Sequence, residues 1–385
     1  MISISRLVNG RPEKADEIRY SGKRDYYPKV LVFNVTRNCN LKCVHCYSNS
    51  GLSRFQDLPL SAWLNAVKKA AEMGVKHILL SGGEPLDRRD LSSIAKEAYD
   101  YGISVELSTN GTMLTRERVE ELKKYVSYIG VSIDGPEEVH DKFRGVRGAF
   151  KKAMEGIRLA KQAGIKTGLR FTITKLNYRY VDFVFDIMKK EGINRVCFYH
   201  LAYSGRADMS LDIDNKTRYE VVNKIIERSK DGEVLTADNP VDGILVYIKT
   251  GFSNEVLELL KRNGGNKSGE RIADISPEGI VYPDQFTPIP IGNINNLKEI
   301  WDKPNDLVGK LRERWKYVKC SHCPFFTVCN GGLRGRALVA KGDLWEKDPS
   351  CYLDEILKYL EHSPQHFHYN INENNHHNGE HNYSS

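Results

Sequence analysis

The sequence predicts an α/β fold, a partial (β/α)6 barrel of parallel strands followed by a cysteine-bearing C-terminal extension. Two observations predict the barrel and a third the extension. Between residues 29 and 203, six short apolar runs alternate with stretches of helical periodicity; such alternation builds a parallel sheet with right-handed crossovers. Six strands are fewer than the eight of a closed barrel, so the sheet stays open. Seven of the eight cysteines gather in two groups, at 39–46 and 320–351.

KVLVFNV (29–35) reads as the first strand, and LSAWLNAVKKAAEM (60–73) as its helix, with apolar residues at helical spacing. HILLS (77–81) is the second strand, and LSSIAKEAYDYG (91–102) a helix ended by Gly102. ISVELST (103–109) precedes the helix RERVEELKKY (116–125). YIGVSID (128–134) precedes GAFKKAMEGIRLAKQAG (148–164), which ends at Gly164. KTGLRFTIT (166–174), YVDFVFDIMKKEG (180–192) and RVCFYHL (195–201) complete the six-strand pattern. The chain then divides into an N-terminal segment (1–28), the barrel (29–203), a connecting region (204–318), the second cysteine region (319–360) and a tail (361–385). The connecting region carries helical stretches near 215–229 and 253–262, and a hairpin at 271–283 turning at Pro277-Glu278-Gly279. The tail is polar and rich in His and Asn, the composition of a disordered, solvated segment.

Composition narrows the class. Hydrophobic residues make up 40% and charged residues 28% of 385, the balance of a globular protein. No apolar run is long enough to cross a bilayer, and the first residues lack the apolar core of a signal peptide. The expected location is the cytoplasm, with no membrane partner. The net charge of +7 is mild, and basic stretches interleaved with aromatics are missing, which argues against nucleic acid and leaves room for a polyanionic small molecule.

Cys39, Cys43 and Cys46 lie in the loop after the first strand. Clustered cysteines in an intracellular chain are more often metal ligands than disulfides. Three close thiolates suit one cubic [4Fe-4S] cluster and leave one iron open to a small molecule. Zinc wants four ligands, and His45, between two cysteines, is expected to face away from the metal. Cys320, Cys323, Cys329 and Cys351 offer four thiolates, enough to close a second [4Fe-4S] cluster or to hold one zinc. Cys197 stands alone and reads as a core residue.

The stretch NVTRNCNLKCVHCYSNS resembles the signature of the radical S-adenosylmethionine (SAM) superfamily. The resemblance implies that Cys39, Cys43 and Cys46 hold the cluster whose open iron is chelated by SAM, and that SAM cleavage yields a 5′-deoxyadenosyl radical. Companion motifs follow at successive strand ends, where ligands bind in such sheets. Ser81-Gly82-Gly83-Glu84-Pro85 resembles the family's GGEP motif, with glycines for close backbone approach and Glu84 for the SAM ammonium. Ser108 and Asn110 resemble ribose contacts, Ser132 a ribose or carboxylate contact, and Arg170 either a fork on the SAM carboxylate or a structural ion pair. Residues 196–200 fall where the adenine is flanked.

The stretch from Lys319 to Leu353 is similar to the auxiliary-cluster region of SPASM-type members, which favours a second, auxiliary [4Fe-4S] cluster over zinc. Arg334 and Arg336 beside it read as surface charges. FYHLAYSGRA (198–207), TADNPVDGI (236–244) and residues 263–286 resemble the subgroup that modifies siroheme-derived tetrapyrroles. That implies an enzyme of haem biosynthesis that removes two acetate side chains of 12,18-didecarboxysiroheme to give iron-coproporphyrin III, with a haem d1 branch acting on the same precursor as the alternative. A peptide-modifying maturase is the further alternative; it usually has a recognition domain ahead of the first strand. Arg206, Lys261, Arg262, Lys267 and Arg271 are candidates to receive a carboxylate-bearing tetrapyrrole, and Tyr199 or His200 to contact it or donate a proton. Thr287 stands where the subgroup pattern has an aromatic residue. The implied electron donor is a ferredoxin or flavodoxin.

Overall fold

The computed structural model describes residues 1–361 except 11, 14 and 23–25. The tail expected to be disordered lies, from residue 362 on, outside the described residues. The strands are β1 (Ile2–Ser3), β2 (Val30–Asn34), β3 (His77–Ser81), β4 (Ser104–Thr109), β5 (Val126–Ser132), β6 (Lys166–Ile173), β7 (Arg195–His200), β8 (Glu233–Ala237), β9 (Ile272–Ile275), β10 (Ile280–Tyr282) and β11 (Gly292–Asn293). They form one sheet in the order β1-β8-β7-β6-β5-β4-β3-β2-β9-β10-β11. The run from β2 to β8 is parallel throughout, as the alternating pattern predicts.

The sheet is wider than the six strands read from the sequence. Glu233–Ala237 joins β7 in parallel, and β9 joins β2 in parallel before turning back through β10 and β11. The hairpin expected at 271–283 therefore extends the barrel sheet beyond β2, with β11 as its edge strand. The short β1 pairs antiparallel with β8, so the N-terminal segment closes the other edge.

Helices cover the outer face. Leu60–Glu72 buries Trp63, whose ring centroid lies 5.2 Å from that of Phe33 on β2. Ala149–Gln162 and Val181–Glu191 bury Ile157 and Val184 in the same manner. Val241–Lys249, absent from the periodicity reading, is buried from Val241 to Ile248, so it has no polar face to betray a helical period.

The C-terminal extension is tied to the barrel by buried charge. Arg334 and Arg336, expected on the surface, are both fully buried. Arg336 pairs with Asp348 at 2.8 Å and donates to the carbonyls of Leu201 and Asp238, at the ends of β7 and β8. Arg334 donates to the carbonyls of Leu344 and Glu346. Both arginines act as brackets for backbone, because a planar five-donor group can satisfy several carbonyls at once.

Candidate active site

The loop after β2 carries the first three cysteines, and backbone contacts fix it from two sides. On one side lies the turn after β3. Gly83 N–H donates to Thr36 O and Glu84 N–H to Asn38 O, each at 2.8 Å. The approach requires glycine: a Cβ on Gly82 (φ +133) would lie 2.4 Å from Thr36 O, and one on Gly83 2.3 Å from Asn38 O. On the other side, Arg206 donates to the carbonyls of Cys43 and Ser50 at 2.8 Å each, and its N–H to Cys46 O at 2.9 Å. Arg206, expected to meet substrate, is in large part a clamp on this loop.

Each sulfur receives a nitrogen-bound hydrogen. Leu41 N–H points to Cys39 Sγ at 3.4 Å, Ser50 N–H to Cys46 Sγ at 3.3 Å, and Arg144 Nη1 to Cys43 Sγ at 3.6 Å. Burial and the nearby Glu84 push the Cys39 thiol up to about 12. His45 between the cysteines packs on Phe143, with ring centroids 4.3 Å apart, and burial drives its pKa well below the ordinary value.

Glu84 is fully buried and does not line the cavity. Its oxygens accept from Thr109 Oγ1 at 2.6 Å, Asn110 N–H at 2.8 Å and Leu86 N–H at 3.2 Å. It thus pins the Gly82-Gly83 turn to the end of β4. Burial raises its pKa from 4.5 to about 7, against the pull of those hydrogen bonds. The folded value lies above the unfolded one, so ionisation costs the fold. The cost is absent below pH 4.5, grows as pH rises and is complete above about 7, where it reaches about 3 kcal/mol. Urea titrations of the chain and of Glu84→Gln at pH 5 and pH 8 should therefore diverge, with the stability difference moving in favour of the variant by about that amount on going to pH 8.

A cavity of about 470 Å³ opens from the cysteines into the barrel. Gly82, Gly83, Ser108, Asn110, Ser132 and Arg170 all line it. Arg170 lies over the Tyr199 ring at 4.5 Å, and a Cβ on Gly130 would come within 2.8 Å of its Cδ, so the glycine on β5 makes room for the arginine on β6. Asn110 donates to Asn40 Oδ1 at 3.0 Å, which draws the β4 end toward the cysteine loop. Lys267 and Arg271 line the cavity, whereas Lys261 and Arg262 are not among its lining residues. Tyr199 is half-buried on the wall. His200 has both ring nitrogens engaged: Nδ1 accepts from Arg218 at 2.9 Å, so Nε2–H donates to Asp242 at 2.8 Å. That buried network leaves neither nitrogen for a ligand. Thr287 is tied to Asp284 through its hydroxyl and N–H, and the aromatic next to it, Phe286, faces the cavity against Tyr47.

The second group shares one locality. The Cys329 thiol, pushed up to about 12 by burial, also feels the charges of Cys351, Cys323 and Cys320. The loop that lines the cavity rests on it, with Asn266 N–H donating to Cys329 O at 3.3 Å.

A model of the family described as the Radical SAM superfamily matches residues 33–203. A Fe-coproporphyrin III synthase of Methanosarcina barkeri (strain Fusaro / DSM 804) is 39% identical over 398 residues, spanning 94% of this chain and 100% of that protein. The chain belongs to the radical SAM superfamily. A pre-heme d1 synthase of Dinoroseobacter shibae is 34% identical over 84% of this radical SAM chain and 86% of its own length. The crystal structure of Streptococcus suis SuiB bound to precursor peptide SuiA shares the fold, with a TM-score of 0.69 at 20% identity over 86% of this chain and 77% of that one.

Membership brings a [4Fe-4S] cluster and SAM. The residues fit them. Three sulfurs each supplied with an N–H donor suit thiolates, whose charge such donors stabilise, and the glycine turn leaves bare backbone beside them. Two residues of this site escaped the sequence reading. Arg144 lies outside every motif singled out for chemistry. Asp134 lies within the strand-end stretch Ser132-Ile133-Asp134-Gly135, where only Ser132 is read as a contact, and only the fold brings the pair to Cys43.

Proposed function

We propose that this radical SAM enzyme works in haem biosynthesis, removing the two acetate side chains of 12,18-didecarboxysiroheme to give iron-coproporphyrin III. The observation that carries the reading is the 39% identity running the full length of a Fe-coproporphyrin III synthase. The cavity is consistent with it. Eight Arg and Lys side chains against three Asp and Glu line it, the balance a macrocycle with several carboxylates calls for. Val30, Val32 and Leu79 give it apolar wall for a flat ring.

Bound together, the cluster and SAM supply a 5′-deoxyadenosyl radical that takes hydrogen from the substrate. In this reading Cys39, Cys43 and Cys46 hold the cluster, Gly82 and Gly83 offer backbone to SAM, and Ser108 and Asn110 meet its ribose. Ser132 and Arg170 receive its carboxylate, with Tyr199 beneath the guanidinium as a face for the charge. Cys320, Cys323, Cys329 and Cys351 hold a second [4Fe-4S] cluster whose wall is shared with the cavity. Electrons come from a donor such as a ferredoxin or flavodoxin.

Anaerobic incubation of the loaded enzyme with didecarboxysiroheme, SAM and a reductant, followed by mass analysis of the tetrapyrrole, tests the reading. Loss of two acetate groups is expected. Conversion of propionates instead supports the haem d1 branch represented by the pre-heme d1 synthase relative, and an unchanged macrocycle overturns both.

A further inference from the structure

We propose that Arg144 is a positioning residue that raises the reduction potential of the SAM-binding cluster, by presenting a buried, charged N–H to the Cys43 sulfur from a guanidinium locked in place by Asp134. The inference rests on the radical SAM cluster alone and is independent of which tetrapyrrole is bound.

Three observations carry it. The first is the kind of donor at each sulfur. Cys39 and Cys46 receive backbone N–H groups, from Leu41 and Ser50, which are neutral. Cys43, buried at 8% exposure, receives Nη1 of an arginine at 3.6 Å. A hydrogen bond from a charged donor is roughly twice as strong as a neutral one. At this depth its charge acts on the sulfur at a lower effective dielectric than bulk water offers.

The second is that the guanidinium is committed. Nε donates to Asp134 Oδ2 at 2.6 Å, and Nη2 lies at the same distance from the same oxygen. Asp134 is fully buried at the end of β5 and Arg144 is 8% exposed. With two nitrogens on the carboxylate, the third can point only along the remaining edge of the fork, toward Cys43. Asp134 and Cys43 together hold Arg144 charged against the pull of burial.

The third is register. Arg144 ends the helix Glu137–Arg144, and the backbone there pairs directly with the cysteine loop. Lys42 N–H donates to Arg144 O and Val44 N–H to Phe143 O, each at 3.0 Å. These bonds flank Cys43 on both sides. A Cβ on Gly145 would lie 2.6 Å from Lys42 O, so the two segments are in closest possible contact. The arginine cannot drift from the sulfur without breaking the loop that holds it.

The direction follows from charge. Reduction adds one negative charge to the cluster, and a cation against one of its sulfurs favours that charge. Asp134 opposes the effect but lies on the far side of the guanidinium, so the N–H and positive charge dominate at the sulfur. The arrangement makes the cluster easier to reduce than three backbone donors alone would.

The test reads the potential and needs no tetrapyrrole. The full chain, reconstituted anaerobically and without SAM, is titrated with reductant at known potentials while the reduced cluster is followed by electron paramagnetic resonance. In Arg144→Met/Asp134→Asn, which removes cation and countercharge together, the ratio of reduced to oxidised cluster at a given potential is expected to fall about tenfold, a shift of roughly 59 mV to more negative values for a one-electron couple. Arg144→Lys in the intact background keeps a cation at the position and is expected to lower the potential by less. Asp134→Asn alone, which keeps the arginine and frees it of its countercharge, moves the potential the other way. An unchanged potential in the double variant with full iron content overturns the proposal. If that variant does not load iron, Asp134→Asn decides: a potential that stays or falls overturns the proposal as well.

Discussion

Cys43→Ala is expected to abolish reductive SAM cleavage and, on the two-cluster reading proposed above, to lower iron from roughly eight to roughly four per chain. Three thiols hold four irons at this site. Among the described residues the one cysteine outside the two groups is Cys197, 3% exposed on β7 and packed with Leu235 and Ala237. Its removal, as Cys197→Ala, should leave the iron content unchanged. The loop itself survives the loss of the Cys43 sulfur, because Arg206, Arg144 O and Phe143 O hold its backbone independently of the metal. The variant should therefore fold, keep the iron of the second group and produce no 5′-deoxyadenosine. Cys329→Ala should do the reverse, retaining SAM cleavage while losing the roughly four irons proposed for the second group. Iron-to-protein ratios and chromatographic 5′-deoxyadenosine assays read both. Cleavage surviving in Cys43→Ala would remove the basis of the site.

The strands from β2 to β7 and the helices near 60–73, 91–102, 116–125, 148–164 and 180–192 are legible in the sequence because each is a periodic run bounded by glycine or a charged turn. The short helix Glu137–Arg144 between β5 and β6 is not among them. β8 is not legible either, since Glu233–Ala237 is five residues with no partner pattern until it is laid beside β7. The helix Val241–Lys249 is hidden by its own burial. The cysteines and the strand-end motifs are legible because their members are neighbours in the chain. Arg144 is 101 residues from Cys43 and Arg206 is 163, so no local pattern links them to the cluster. Glu84 shows a subtler limit: its motif marks the right turn, but only the fold reveals that Thr109 and Asn110 take up its oxygens. Arg334 and Arg336 read as surface because arginine seldom lies fully buried without a partner. The partner, Asp348, arrives from beyond the intervening helix.

That last pair carries the largest stability effect. Arg336→Met is expected to cost about 3–5 kcal/mol, because it leaves a buried carboxylate without its counterion. Asp348 is 3% exposed and accepts from Arg336 through both oxygens, at 2.8 and 3.0 Å, and from Leu333 N–H and Ser350 N–H. Burial alone would raise its pKa; Arg336 holds it below the ordinary value. In the parent chain the pair's contribution is present above the unfolded carboxylate value and lost as pH falls through the folded one. Without the arginine the sign reverses: burial raises the folded value, and ionisation then weakens the fold. The deficit of Arg336→Met should thus be largest near neutral pH and shrink as the medium turns acid. Arg336→Met/Asp348→Leu, which removes both partners of the pair, should recover much of the loss. Recovery should not extend to the site. Arg336 also holds the carbonyl of Asp238, a residue at φ +66 on the cavity wall, and Cys351 N–H donates to Asp348 O. A left-handed aspartate persists only where its surroundings enforce it. Guanidinium unfolding across pH, run beside iron analysis, separates the two consequences: stability returns in the double variant, while the second group of cysteines and the wall it shares with the cavity stay loosened.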